Sequence, residues 1–345
     1  MSAAASVPVF QHPAPNPAWL AQHSEPVIDP ALPIIDPHHH LWERDGARYY
    51  LDELLADTEG GHNVVATVFA QCAWAYRSDG PEALRPVGET EFVAAIAAES
   101  ARRASKTRAC AGIVGYADMR LGADVGAVLD AHIAAGGGRF RGIRHLTARS
   151  EAFIASIAPP PPAGLMRSAP FHAGIAQLER RGLSFDGWLY HTQIDEFTEL
   201  AQAFPGITMV LDHVGGPLGL GPYRGRRDEV FADWHASMRR LAECPNACVK
   251  LGGLGMLVAG FGFHEQPRPP SSEVLATAWR PYMEACIAAF GPQRCMFESN
   301  FPVDKAVCGY GVLWNAFKRI TAAASATERA ALFHDTAARV YKIAV

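Results

Sequence analysis

Leu32-Pro33-Ile34-Ile35-Asp36-Pro37-His38-His39-His40 is an apolar run that ends in three consecutive histidines. The run reads as a strand, with the histidines at its C-terminal end. Side chains alternate along a strand, so His38 and His40 share one face and His39 takes the other. Two imidazoles about 6–7 Å apart along one face can chelate a single cation. A His-rich surface turn would carry the same triplet, so only the rest of the chain can separate the two readings.

Beyond residue 30, short β-branched runs alternate with longer amphipathic stretches. Strands are expected at 33–36, 64–71, 109–116, 140–146, 184–190, 208–212, 247–251 and 295–298. Helical patterns lie between them at 89–103, 122–135, 171–181, 193–203, 227–243, 272–290 and 307–322, and a last helix at 327–341 ends the pattern. Strands separated by helices imply a parallel sheet, and eight strands is the number that closes a (β/α)8 TIM barrel. A doubly wound open sheet is the competing α/β arrangement, but no Gly-rich nucleotide loop follows the first strand. No repeat or linker splits residues 31–345, so they read as one barrel domain. Residues 1–30 are rich in Pro and Ala and read as an N-terminal arm over the body, or as disorder. Two long loops, 149–169 with its four prolines Pro159 to Pro162 and 252–270, follow strands. Both are expected at the C-terminal mouth, where loops shape a pocket.

Composition narrows the partners. The net charge is −4 and no basic stripe is present, which argues against nucleic acid. No apolar run nears the roughly 20 residues of a membrane helix. The first residues lack a signal peptide's basic start and apolar segment. Seven scattered cysteines fit reduced thiols in a cytoplasmic protein.

Polar residues at the C-terminal ends of barrel strands read as chemistry. Strand one ends in His38 and His40, and strand four supplies Arg144 and His145. Strand five supplies Tyr190 and His191, and strand six Asp212 and His213. Strand seven supplies Lys250, and strand eight Glu298 and Asn300. One histidine is usually structural. Histidines at the same end of four strands point to a site.

This set resembles the amidohydrolase superfamily, in the amidohydrolase-related branch that includes sugar-lactone, pyrone-dicarboxylate and sulfomuconolactone hydrolases. The matching residues are Asp36-x-His38-x-His40, Gly142-Ile143-Arg144, His191, Asp212-His213-x-Gly215 and, imperfectly, Phe297 to Pro302. The likeness spans roughly residues 33 to 341. It implies a (β/α)8 barrel, often metal-dependent, acting on cyclic esters or carboxylated small molecules. The family usually carries Asp where this chain has Asn300, and an amide is no general base near neutral pH and a poor ligand for zinc. Glu298 stands two positions earlier on the same expected face and can return a carboxylate to the centre. Pairing with a neighbouring Arg or Lys is its structural alternative. Asp304 is a weaker candidate for the missing acid and reads more readily as a helix N-cap.

The expected ligands of a divalent ion are His38, His40 and His191, with Glu298 as fourth ligand or as base. Zinc is the first choice and manganese the second. A metal-free variant has the histidines polarising the carbonyl directly. His213 is a polariser or proton shuttle with Asp212 as a candidate orienting partner, and Asn300 is a hydrogen-bond donor to an oxyanion. Arg144 is a clamp for a substrate carboxylate, joined by His145, Lys250, Arg224 and Tyr190 around the substrate. The leading expectation is a hydrolase of a lactone or related cyclic ester of a small organic acid. A non-oxidative decarboxylase on the same barrel, or a non-catalytic small-molecule-binding barrel, stand as alternatives. A homodimer is expected from how often such barrels associate.

Overall fold

The computed structural model describes residues 7–44, 46–155 and 160–344. Eight parallel strands run β1 (Pro33–His39), β2 (Asn63–Ala70), β3 (Arg108–Gly115), β4 (Phe140–Leu146), β5 (Ser184–Trp188), β6 (Met209–Leu211), β7 (Ala247–Leu251) and β8 (Cys295–Phe297), each beside the next in chain order. Helices such as Val87–Arg102, Arg227–Ala242 and Ser272–Phe290 pack outside. The last step of closure, β8 against β1, is made by the site segment. His40 N donates to Phe301 O at 2.7 Å, Asn300 N to His38 O at 2.9 Å, and Ser299 N to Asp36 Oδ1 at 3.0 Å. The fold is the (β/α)8 barrel expected from the strand count.

The expected strands all form. Differences sit at their ends, where β1 runs on through His39 and β5 stops at Trp188. Besides the one-turn Pro17–Leu20 of the arm, one described α-helix has no counterpart among the expected ones: Leu51–Thr58, which leads from β1 to β2. It is short, and its two first-turn acidic residues obscure the apolar stripe. The last expected helix is interrupted by a wider π turn, Ala331–Asp335.

A short hairpin, Trp42–Arg44 paired with Ala47–Tyr49, rises from the end of β1. The arm crosses the same mouth. Phe10 N donates to Ile154 O and Ile154 N to Pro8 O, both at 2.8 Å. Trp19 Nε1 donates to Gln266 O at 3.0 Å. Of the proline run, Pro159 lies outside the described residues. All seven cysteines are buried and unpaired. Among the described residues no helix is long and apolar enough to cross a membrane.

The loop after β2 is held from below by Glu89, whose Oε1 accepts from Cys72 N at 3.0 Å and Trp74 N at 2.8 Å. Burial lifts its carboxyl to about 7, against those two donors. A folded-state value above the unfolded one means the native state holds the proton more tightly. That stabilisation is complete below about 4.5 and is lost as pH rises through 7. Thermal melts should show Tm falling between pH 5 and 8 in wild type, with a smaller fall in Glu89→Gln. Equal falls in both chains would remove Glu89 as the cause.

Candidate active site

Alternation puts Arg144 inside the barrel and His145 outside it. The His145 ring packs on Phe171 and Tyr116, with ring centres 5.3 Å away in each case. His145 therefore faces the helical layer and not a substrate, as the pleat requires of the neighbour of an inward residue.

Inside, the buried end of the barrel is an ion network. Lys250, fully buried, places Nζ 2.7 Å from Asp186 Oδ2 and 3.0 Å from Asp212 Oδ1. Asp186 also accepts from Tyr341 Oη at 2.6 Å. Asp212 Oδ2 accepts from Arg144 Nε at 2.6 Å. Burial alone would raise Asp212, but Lys250, His38 and Arg144 hold its carboxyl well below the usual range. Burial works against the Lys250 charge too, yet Asp186, Asp212 and Glu298 raise its pKa. The ammonium expected to meet substrate is thus spent on two carboxylates beneath the site. Asp212 is likewise committed to Arg144 and Lys250, and does not orient His213.

That orienting carboxylate is Glu298. Its Oε1 accepts from His213 N at 3.1 Å and faces His213 Nδ1 at 2.7 Å. A neutral imidazole that donates from Nδ1 presents a lone pair at Nε2. His213 Nε2 lies 3.2 Å from the Arg144 NH2 donor. Gly252 and Gly253 make room for this couple. A Cβ on Gly252 would meet Glu298 Cγ at 2.4 Å, and one on Gly253 would meet His213 Cβ at 2.5 Å. His213 itself is held at φ +55° and Asn300 at φ +54°, left-handed conformations that mark a constrained segment.

Proton bookkeeping at His38 and His40 decides what this face can hold. His40 Nδ1 lies 2.8 Å from Ala70 O and must donate to it, so His40 Nε2 carries a lone pair. That lone pair faces His38 Nε2 at 3.3 Å and Asn300 Oδ1 at 3.3 Å. Asn300 is oriented by Nδ2, which donates to Asp304 Oδ1 at 2.9 Å. His38 Nδ1 sits between Lys250 Nζ and Glu298 Oε2, each at 3.1 Å. If it accepts from Lys250, Nε2–H donates to His40 and the cluster is satisfied without an ion. Lys250 makes a hydrogen bond to Nδ1, whereas Glu298 Oε2 has none among the described residues; only with the proton moved to Nδ1 would His38 Nε2, His40 Nε2 and Asn300 Oδ1 be three acceptors with no donor among them. The His38–His40 and His40–Asn300 separations, 3.3 Å each, match adjacent ligands of a tetrahedral ion bound at about 2.0–2.1 Å. In that protonation state the donor set can hold a divalent ion there, with the Asn300 amide its weakest ligand. A second group, His38, His213 and Glu298, brings ligating atoms within 4.8 Å of one another. It lies against the Lys250 ammonium, which opposes a second cation. Burial first, then Lys250, depresses His38 to about 3, so its imidazole is neutral.

The other expected residues fall outside. His191 Nδ1 accepts from Leu218 N at 3.4 Å, and its ring rests on Tyr223. It joins the β5 end to the loop after β6 and is no member of either ligating group. Tyr190 packs on Phe153 and Trp188, behind the wall of the site. Arg224 lines a separate cavity of about 330 Å³ with Tyr223 and Leu257. Asp304 is no N-cap; its buried carboxyl holds Asn300 and accepts from Gly255 N at 3.1 Å. Burial raises it to about 8.

His40, Arg144, Trp188, His213 and Asn300 open onto a cavity of about 290 Å³. Trp42 lines it, stacked on His40 at 5.4 Å. Residues not anticipated also line it: Arg44, Gln71, and Phe10 and His12 of the arm. Arg44 and Gln71 lie just past strand ends, a signal that was available; the arm gave none. Metal content of chelator-free protein should separate the two ligand sets. His40→Ala is expected to lose the ion, His191→Ala to keep it, and Asn300→Asp to bind at least about tenfold tighter by restoring a charged ligand. Loss of the ion in His191→Ala alone would restore the expected set.

Known proteins share this architecture. The Amidohydrolase family model matches residues 35–343. An uncharacterised protein of Sinorhizobium fredii is 36% identical over 335 residues, covering 90% of this chain and 99% of its own. An L-fucono-1,5-lactonase of Burkholderia multivorans is 27% identical over 323 residues, covering 90% and 96%. The crystal structure of a zinc-bound amidohydrolase from Burkholderia multivorans superposes with a TM-score of 0.68 at 25% identity, covering 90% of this chain and 99% of that one. Barrel, closing segment and matched length together make this chain a member of the amidohydrolase family and an enzyme of the amidohydrolase type.

Proposed function

We propose that this enzyme hydrolyses a lactone, with His213 as the base that activates water and Glu298 as the group that orients it. The observation that carries the reading is the 2.7 Å Glu298–His213 contact at the floor of a cavity shared with His40 and Asn300. Glu298 is fully buried and does not line the cavity, so it acts through His213. Water held at His213 Nε2 attacks the ring carbonyl carbon as its proton passes to Nε2. The Arg144 NH2 edge, beside Nε2, stabilises the oxyanion. The ring C–O bond then breaks, and Nε2–H returns the proton to the departing alkoxide, leaving a hydroxy acid. A divalent ion held by His38, His40 and Asn300 would polarise the carbonyl and lower the pKa of water. Zinc is the first ion to test, because the zinc-bound relative shares the fold.

The lactonase name of the Burkholderia relative supports a lactone and places sugar 1,5-lactones at the head of the panel. The test is hydrolysis of a panel of five- and six-membered lactones, with and without carboxylate, by chelator-free protein and by zinc- or manganese-reconstituted protein. Turnover of at least one lactone, lost in His213→Asn, is expected. Activity on none, with carbon dioxide released from a carboxylated ring instead, would replace this reading with decarboxylation.

A further inference from the structure

We infer that the part of the cavity under the N-terminal arm is an apolar subsite, and that it selects lactones carrying a hydrocarbon substituent over polyhydroxylated ones. The inference rests on the lactone reading above and adds the class of substrate. The arm brings Phe10, Pro13 and Pro15 to the cavity, and the loops after β4 and β7 bring Ala155, Met256 and Leu257. Trp188 joins this surface to the reacting groups. Its ring centre lies 4.7 Å from that of His213, and it belongs to an apolar cluster, separate from the main core, that takes in Phe10, Ala155, Met256 and Leu257. Those four are only partly buried, and the cavity they line is where their uncovered carbon lies. The apolar surface therefore begins beside the histidine that meets the lactone ring.

The polar groups on this side supply the independent observation, because they are already paired. His12 is the one ionisable side chain that the described arm brings to the cavity. Its Nε2 donates to Val303 O at 2.9 Å, and its Nδ1 accepts from Leu257 N at 3.3 Å. Phe10 N donates to Ile154 O at 2.8 Å, and Pro13 and Pro15 have no N–H to offer. The carbonyls of Met256, Leu257 and Val258 accept from Ala259 N at 3.0 Å, Gly260 N at 3.0 Å and Gly219 N at 2.7 Å. No carboxylate is among the described residues that line the cavity. A polyhydroxylated ring needs a partner for every hydroxyl it buries, and the arm and this wall spend theirs on one another. A hydrocarbon chain needs none, and each methylene that leaves water gains about fourfold in affinity.

The test uses 2-pentylcyclopentanone and cyclopentanone, which have a ring carbonyl and no ester bond, in titration calorimetry with wild type, Phe10→Ser and Met256→Ser. Alongside run kcat/KM values for δ-decalactone, which carries a pentyl chain, δ-valerolactone, which carries none, and L-fucono-1,5-lactone. Wild type should bind the pentyl ketone at least about tenfold tighter than cyclopentanone and favour δ-decalactone over δ-valerolactone by a similar factor. Each variant should cut both preferences by at least about threefold. A pentyl preference in binding by an enzyme that opens no lactone would keep the subsite and sink the lactone reading. Pentyl ketone binding no tighter than cyclopentanone, or a preference undiminished in both variants, overturns the subsite whatever lactones are hydrolysed. A kcat/KM for L-fucono-1,5-lactone above that for δ-decalactone also overturns it, and leaves the lactone reading standing.

Discussion

Glu298→Gln is expected to lower kcat for lactone hydrolysis by about 10³-fold with little change in KM. The carboxylate Oε1 now receives two bonds, from the His213 backbone N–H and from Nδ1. An amide keeps both only with its carbonyl facing His213, and it brings an NH2 toward the His38 side, where Glu298 Oε2 stands 3.1 Å from His38 Nδ1. Turned the other way, the NH2 meets Nδ1 and forces the proton to Nε2. The lone pair that receives the water proton is then gone. The kcat–pH profile should change shape as well as height, because the group that titrates is the reoriented imidazole. A variant retaining a third of wild-type kcat would remove Glu298 from the mechanism.

Lys250→Met is expected to lower Tm by roughly 5 °C, or to yield little soluble chain. The side chain is fully buried and pairs with two carboxylates that are themselves fully buried. Removing one partner of a buried ion cluster costs about 3–5 kcal/mol, since the remaining charges stay desolvated without compensation. For a chain of 345 residues each kcal/mol moves Tm by about 1–2 °C. Adding Asp212→Asn to Lys250→Met should recover part of the loss, a coupling that independent sites would not show. A Tm within about 3 °C of wild type for Lys250→Met would mean that Asp186 and Asp212 find other partners.

The order of elements was legible because it depends on local pattern. Period-two and period-3.6 hydrophobicity survive without knowledge of partners, and eight strands in series leave few ways to close. Leu51–Thr58 escaped because eight residues hold too few turns for the apolar stripe to stand out. The site was legible as a set of strand-end residues, and less so as a geometry. Arg144 against His145 is settled by alternation, which was sufficient to separate them. Lys250 was not separable that way. Its role depends on Asp186 and Asp212, 64 and 38 positions away in the chain, and no local pattern announces such a pairing. His191 looked equivalent to His213 as a strand-end histidine, yet its ring turns toward Leu218 and Tyr223.

The missing acid at position 300 was legible only through the family resemblance; residue types and their periodicity were enough for the barrel, for the inward His38 and His40, and for Arg144. They were enough because each is a property of one strand. Which carboxylate orients His213, whether Lys250 meets substrate or stays beneath it, and which groups His40 Nε2 faces are properties of distances between strands. Those distances arise only when β8 closes on β1 through Asn300 and Phe301. The proton on His38 is set in the same way, because Lys250 and Glu298 approach its Nδ1 from two different strands.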